Sequence, residues 1–145
     1  MDRLQFYGGG TINSSNIDGT IRGAPIYVVM NGGKVDLINI TQGGTCIVNK
    51  GTVNEILLGD ISSDINLTIG NMNDTLNTNN PQIGNIALAY ADLYGITTIF
   101  NFYNGIINKS DIEMEENSKN FEGEYNIRPG YKAQKTTDGI ILVKE

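Results

Sequence analysis

The chain has no histidine and no tryptophan, one cysteine and three prolines in 145 residues. Each shortage removes a class of chemistry. Without imidazole there is no histidine general base and no His metal ligand. With Cys46 alone there is no disulfide within the chain and no thiolate zinc site. Ten Lys and Arg stand against 16 Asp and Glu, for a net charge of −6, so nonspecific nucleic-acid binding by a basic face is disfavoured. No apolar run approaches the ~18 residues of a membrane span. No long apolar stretch follows Met1-Asp2-Arg3-Leu4-Gln5-Phe6-Tyr7, as a secretion signal requires. The expectation is a protein soluble as made, in a reducing cytoplasm, with Cys46 as a small buried hydrophobe rather than a reactive thiol.

What the chain does have is isoleucine and asparagine: 21 Ile and 19 Asn, beside 18 Gly. AT-rich codons account for the excess, yet it has physical consequences. Isoleucine is stiff at its first torsion and suits strands. Asparagine and glycine tolerate left-handed backbone and populate turns. The composition therefore predicts a mainly β fold, a sandwich or barrel of short antiparallel strands and hairpins.

Residues 1–10 read as an N-terminal arm. Leu4, Phe6 and Tyr7 precede Gly8-Gly9-Gly10, a run that carries a high ordering entropy. They are the candidate interface residues, an apolar tip that docks on its own domain or on a neighbouring subunit. Residues 11–145 read as one β-rich domain. About six strands are expected over 11–70. Among them, Pro25–Met30 and Lys34–Ile40 are predicted to form a hairpin about Asn31-Gly32-Gly33. Residues 70–80 form an Asn-rich loop whose side chains can satisfy backbone groups locally. A helix is predicted at 81–94, with Asn80 as N-cap, Pro81 at the first helical position and Gly95 as C-cap. The competing reading is a strand, because Ile86, Leu88 and Tyr90 alternate with alanines. Asn104-Gly105 predicts a second hairpin, and Pro129-Gly130 and Asp138-Gly139 predict turns before the apolar strand Ile140–Val143. That strand should be covered rather than left as an open edge. No internal repeat stands out: Gly9-Gly10-Thr11 and Gly43-Gly44-Thr45 recur with unmatched flanks.

The candidate chemistry is sparse. Asp111, Glu113, Glu115 and Glu116 cluster in a segment of strong negative charge, without the Gly-centred turn of a calcium loop. They read as a solvated face that discourages edge pairing. No carboxylate pair, activated nucleophile or phosphate loop has a recognisable signature. Tyr90, Tyr94 and Tyr103, near the expected helix and hairpin, line a core with their hydroxyls at its edge or serve as amphipathic contact residues. No catalytic, cofactor or metal residues are assigned, and no cofactor is expected.

The pattern resembles small capsid decoration proteins of tailed bacteriophages. The likeness rests on the arm, on Gly23-Ala24-Pro25-Ile26-Tyr27 as a strand entry, on Gly32-Gly33-Lys34-Val35, and on Gly105-Ile106-Ile107-Asn108-Lys109-Ser110. It implies a non-enzymatic virion structural protein on the particle surface. The implied partner is the major capsid protein or another virion protein, and the implied state a homo-oligomer, a trimer above others, with no nucleic acid and no membrane. Residues 12–21, with Asn16-Ile17-Asp18-Gly19-Thr20-Ile21, also resemble short repeats of phage tail fibres. That likeness implies the alternative, a receptor- or glycan-binding head-fibre or tail-fibre module.

Overall fold

The computed structural model describes residues 10–23, 25–59, 64–89, 98–114 and 123–145. Strand follows strand: β1 (Gly10–Ile12), β2 (Asn16–Arg22), β3 (Ile26–Ile40), β4 (Gly44–Leu58), β5 (Ile65–Ile69), β6 (Gln82–Leu88), β7 (Thr98–Phe102), β8 (Ile106–Ser110), β9 (Gly123–Ile127), β10 (Tyr131–Thr136) and β11 (Gly139–Lys144). From β1 to β9 every pairing is parallel. The chain therefore winds as a β-solenoid, each turn laid on the one before. The first half of β3 pairs with β1 and its second half with β2, and β4 lies along both halves of β3. The next turn splits, with β5 on the first half of β4 and β6 on the second. β7 and β9 extend one ribbon, and β8 extends the other.

The inward side chains explain the winding. In one ribbon Ile12, Met30, Val48, Ile69 and Phe102 stand in register, and all are buried. In the other, Ile17, Val35, Val53, Ile83 and Ile107 do the same. Alternate residues point outward, as strand geometry requires. The stacked rows form one apolar cluster running through the turns. A single turn cannot bury its own apolar row; its neighbours must cover it. The abundant isoleucine is the filling of this core.

This architecture corrects four expectations. The fold is mainly β, but it is a solenoid rather than a sandwich or barrel. The expected hairpin at 25–40 is one strand, β3, bent at Gly32-Gly33, so its two halves lie in different ribbons. Asn104-Gly105 is likewise a corner: β7 and β8 do not pair with each other. The helix predicted at 81–94 is replaced over Gln82–Leu88 by β6, and residues 90–94 lie outside the described residues. Asn80 does not cap a helix. Its Oδ1 accepts the N–H of Gly51, 2.9 Å away on the previous turn. The β6 backbone then pairs with β4 on one side and β8 on the other, which a helix would forgo.

The Asp138-Gly139 turn is present, joining β10 and β11 in the antiparallel hairpin that ends the chain. β11 lies antiparallel on β8, so this apolar strand is flanked on both sides and the mostly exposed β10 forms the outer edge. Gly10 opens β1, and the remainder of the expected arm lies outside the described residues.

Close stacking restricts the corners. Gly44 has a φ of 121°, and a Cβ there would stand against the backbone of Ile26 on the turn below. An L side chain is excluded twice, by torsion and by space.

Cys46 is fully buried in the inner row between Val28 and Leu67. Burial pushes its thiol from an ordinary value near 9 up to about 12. Burial also raises the phenol of Tyr125, whose ring packs against Phe100 with centroids 5.6 Å apart.

Two predictions follow from this core. Ile56→Ala is expected to lower unfolding free energy by about 2–5 kcal/mol, and the adjacent outward Leu57→Ala by less than half as much, both read from urea denaturation. The second concerns alkali. Above pH 9 the unfolded thiol ionises while the folded one keeps its proton, so the unfolded state gains and stability falls towards pH 12. The expected slope from this group is on the order of 1 kcal/mol per pH unit. Denaturation midpoints between pH 8 and 11 measure it, and Cys46→Val should flatten the slope.

Candidate functional site

The corners between the two ribbons carry a row of polar side chains. In the first three turns an asparagine ends the first strand segment: Asn13, Asn31 and Asn49. They are joined across turns, Asn31 Nδ2 donating to Asn13 Oδ1 at 3.2 Å and Asn49 Nδ2 to Asn31 Oδ1 at 2.9 Å. Each partner lies 18 residues away, the length of one turn here. Asn54 Nδ2 donates to Asp36 Oδ1 with the same separation, at 2.8 Å. Stacked amides of this kind pair along a parallel ladder as its backbone does.

At the fourth turn the ladder stops. The chain leaves the corner at Gly70 and returns at Pro81, forming a long insertion. Asparagines hold this loop from within: Asn71 Oδ1 accepts the N–H of Asn73, and Asn77 Oδ1 that of Asn79, each at 2.9 Å. The expectation that these side chains satisfy the backbone locally is met. The next corner holds the loop from behind. Asn104 is buried; its Oδ1 accepts the Asn77 N–H at 2.6 Å and its Nδ2 donates to the Thr75 carbonyl at 3.0 Å. Arg128, one corner further on, donates to the Asp74 carbonyl at 2.8 Å and the Tyr103 carbonyl at 3.1 Å. Its guanidinium lies 5.6 Å from the centre of the Tyr131 ring.

Between the pinned loop and the asparagine corner lies a cleft of about 300 Å³. Asn49, Lys50, Asp74, Thr75, Asn77 and Asn80 line it, with Asn104 beside them. Asn49 spends its amide NH₂ on the ladder and keeps its oxygen. Asn77 and Asn80 spend their oxygens on backbone N–H groups and keep their NH₂ groups. Lys50 and Asp74 do not form a salt bridge with each other, and neither side chain bonds to another described residue. The cleft thus presents acceptors and donors, and one charge of each sign, on a frame fixed by backbone hydrogen bonds.

The residues singled out from sequence fall elsewhere. Leu4, Phe6 and Tyr7 lie outside the described residues, as do Glu115, Glu116, Tyr90 and Tyr94. Asp111 Oδ2 accepts the Leu88 N–H at 3.0 Å, tying the end of β8 to β6. Glu113 lies 4.0 Å from Lys135 of β10. These two acids therefore serve contacts between strands. No group of three or more potential metal ligands forms among the described residues. Tyr103 gives its carbonyl to Arg128. The cleft itself went unmarked in the sequence, although its signal was there in the spacing of Asn13, Asn31 and Asn49.

Asn104→Ala is expected to free the loop. Hydrogen exchange at the Asn77 amide should accelerate at least tenfold more than at Ile56 in the core, because the N–H loses its buried acceptor. Comparison with protein-family models, with curated proteins and with solved structures finds no match to this chain.

Proposed function

We propose that this chain is a non-enzymatic structural component of a phage or phage-like particle, a capsid decoration protein that binds the assembled shell. It acts at the virion surface as a homo-oligomer, a trimer above others, against the major capsid protein or another virion protein. The observation that carries this reading is the inequality of the solenoid's two ends. At the C-terminal end the β10–β11 hairpin runs antiparallel to β8 and presents a polar edge, while β9 pairs with β7 alone among the described residues. At the other end, β1 and β2 pair with β3 alone among the described residues. Strand edges left this way recruit further strands. Leu4, Phe6 and Tyr7 precede β1 in the sequence. A rigid body with a polar hairpin edge and unpaired strand edges, preceded in sequence by apolar residues, suits attachment to a lattice, where many weak copies gain avidity.

The second reading, a receptor- or glycan-binding fibre module, is favoured by the cleft under the 70–81 loop. A fixed, polar, lengthened corner on a solenoid is where such proteins place binding surfaces.

Co-expression with a candidate major capsid protein tests the first reading. The full chain is expected to co-sediment with assembled shells, and removal of residues 1–9 to weaken this at least tenfold. A full chain left in the supernatant overturns shell binding. Undiminished binding by the truncated chain overturns the role of the arm.

A further inference from the structure

We infer that the cleft between Asn49-Lys50 and the 70–81 loop is a binding site for a neutral saccharide, which it holds without cleaving. The inference rests on the second reading and gives it a site and a ligand class. A sugar ring presents adjacent hydroxyls, each both donor and acceptor. The cleft offers a matching set: the Asn49 oxygen and Asp74 carboxylate accept, the Asn77 and Asn80 amides and the Lys50 ammonium donate, and the Thr75 hydroxyl does either.

These groups are held in advance. Asn80 is fixed through Gly51, Asn77 through Asn79, and the loop backbone through Asn104 and Arg128. Little ordering is left for the ligand to impose. The volume, about 300 Å³, is at the small end of ligand pockets and fits one ring rather than a long chain.

The charges decide between ligand classes. Lys50 and Asp74 cancel, which disfavours a strongly anionic or cationic ligand. A lone carboxylate beside an ammonium is a poor cation site, since hard cations draw on several oxygens. The same lone carboxylate argues against hydrolysis, which in most glycosidases requires a flanking pair. Asp74 is the one acid lining the cleft among the described residues. No aromatic platform among the described residues lines it either, so a single site is expected to bind weakly, in the millimolar range, and to act through multiple copies.

The test uses the full chain. A glycan array probed with labelled protein is followed by ¹⁵N-resolved titration with methyl glucoside, methyl galactoside, N-acetylglucosamine and any sugar the array reports. Saturable shifts of the Asn77 and Asn80 side-chain amides are expected with at least one sugar. Lys50→Ala and Asp74→Asn change side chains that brace no other described residue. Each should weaken binding at least fivefold while leaving the unfolding midpoint within about 2 °C, and Lys132→Ala on β10 should change neither binding nor midpoint. A sugar bound equally well by both cleft variants overturns the site and leaves the second reading standing. No response to any sugar, on the array or in titration, overturns both. Shifts produced by calcium alone, with none by sugars, overturn the saccharide assignment in favour of a cation.

Discussion

Everything in this molecule depends on rows of apolar side chains stacked in register along parallel strands. Val28, Cys46, Leu67 and Phe100 illustrate the constraint: each belongs to a different turn, and each is buried by the residues above and below it. None of these turns has a core of its own. Stability therefore accrues turn by turn through nearest-neighbour contact, and a substitution in one inner row acts on two interfaces. The same stacking lets a chain of modest hydrophobic content form a continuous core, because strands in the middle of each ribbon have both backbone edges paired and one whole face enclosed.

The terminal turns must then be handled differently. A stack of parallel strands has two open ends, and water or another chain must satisfy the last row. On the ribbon of β8 the C-terminal solution is to reverse direction: β11 comes back antiparallel on β8, and β10 turns the outermost edge polar with Lys132, Gln134 and Lys135 exposed, while the other ribbon ends in β9. Exposed lysines on an edge strand discourage further pairing. The N-terminal turn has only the three-residue β1 and the seven-residue β2. The asymmetry gives the body a direction, which a symmetrical sandwich would lack.

How far this was legible in the sequence follows from what each signal reports. Alternation in Ile65-Asn66-Leu67-Thr68-Ile69 identifies a strand whatever its partner, so the β character was plain. Partner choice is a different matter. Asn31-Gly32-Gly33 and Asn104-Gly105 have the residues of a tight hairpin, and here they bend the chain by less than a reversal. Glycine permits either path, and the deciding contact is with the next turn: a Cβ on Gly32 would meet the Asn13 carbonyl, and one on Gly105 the Pro81 carbonyl. Those neighbours are distant in sequence. The helix expectation failed for a related reason. Asn80-Pro81 has the chemistry of a cap, but the Asn80 oxygen is taken by Gly51. Asp138-Gly139 was read correctly because its strands are joined by the turn itself, so local chemistry suffices. The repeat was hidden because Gly-Gly-Thr recurs out of phase with the turns, whereas the in-phase marker is a buried residue followed by asparagine: Ile12-Asn13, Met30-Asn31 and Val48-Asn49.

That marker also links architecture to chemistry. An asparagine at each corner serves the stack as long as the next turn supplies another amide in register. Val48 is opposite Ile69, so the position after it, Asn49, faces a turn where Gly70 has replaced asparagine. The amide ladder loses its next member at the point where the chain makes its excursion to Pro81. The Asn49 oxygen, which would have accepted from that missing amide, is turned over to the cleft instead. The cleft is thus a break in a repeating hydrogen-bond pattern, held open by a loop in which Asn71, Asn77 and Asn80 have committed their oxygens to backbone N–H groups. In a solenoid such a break costs little, because the core rows beneath it, Val48 to Ile69 and Val53 to Ile83, continue without interruption. The frame can lengthen one corner while its interior stays the same, and the polar groups released at that corner are the ones left to meet a ligand.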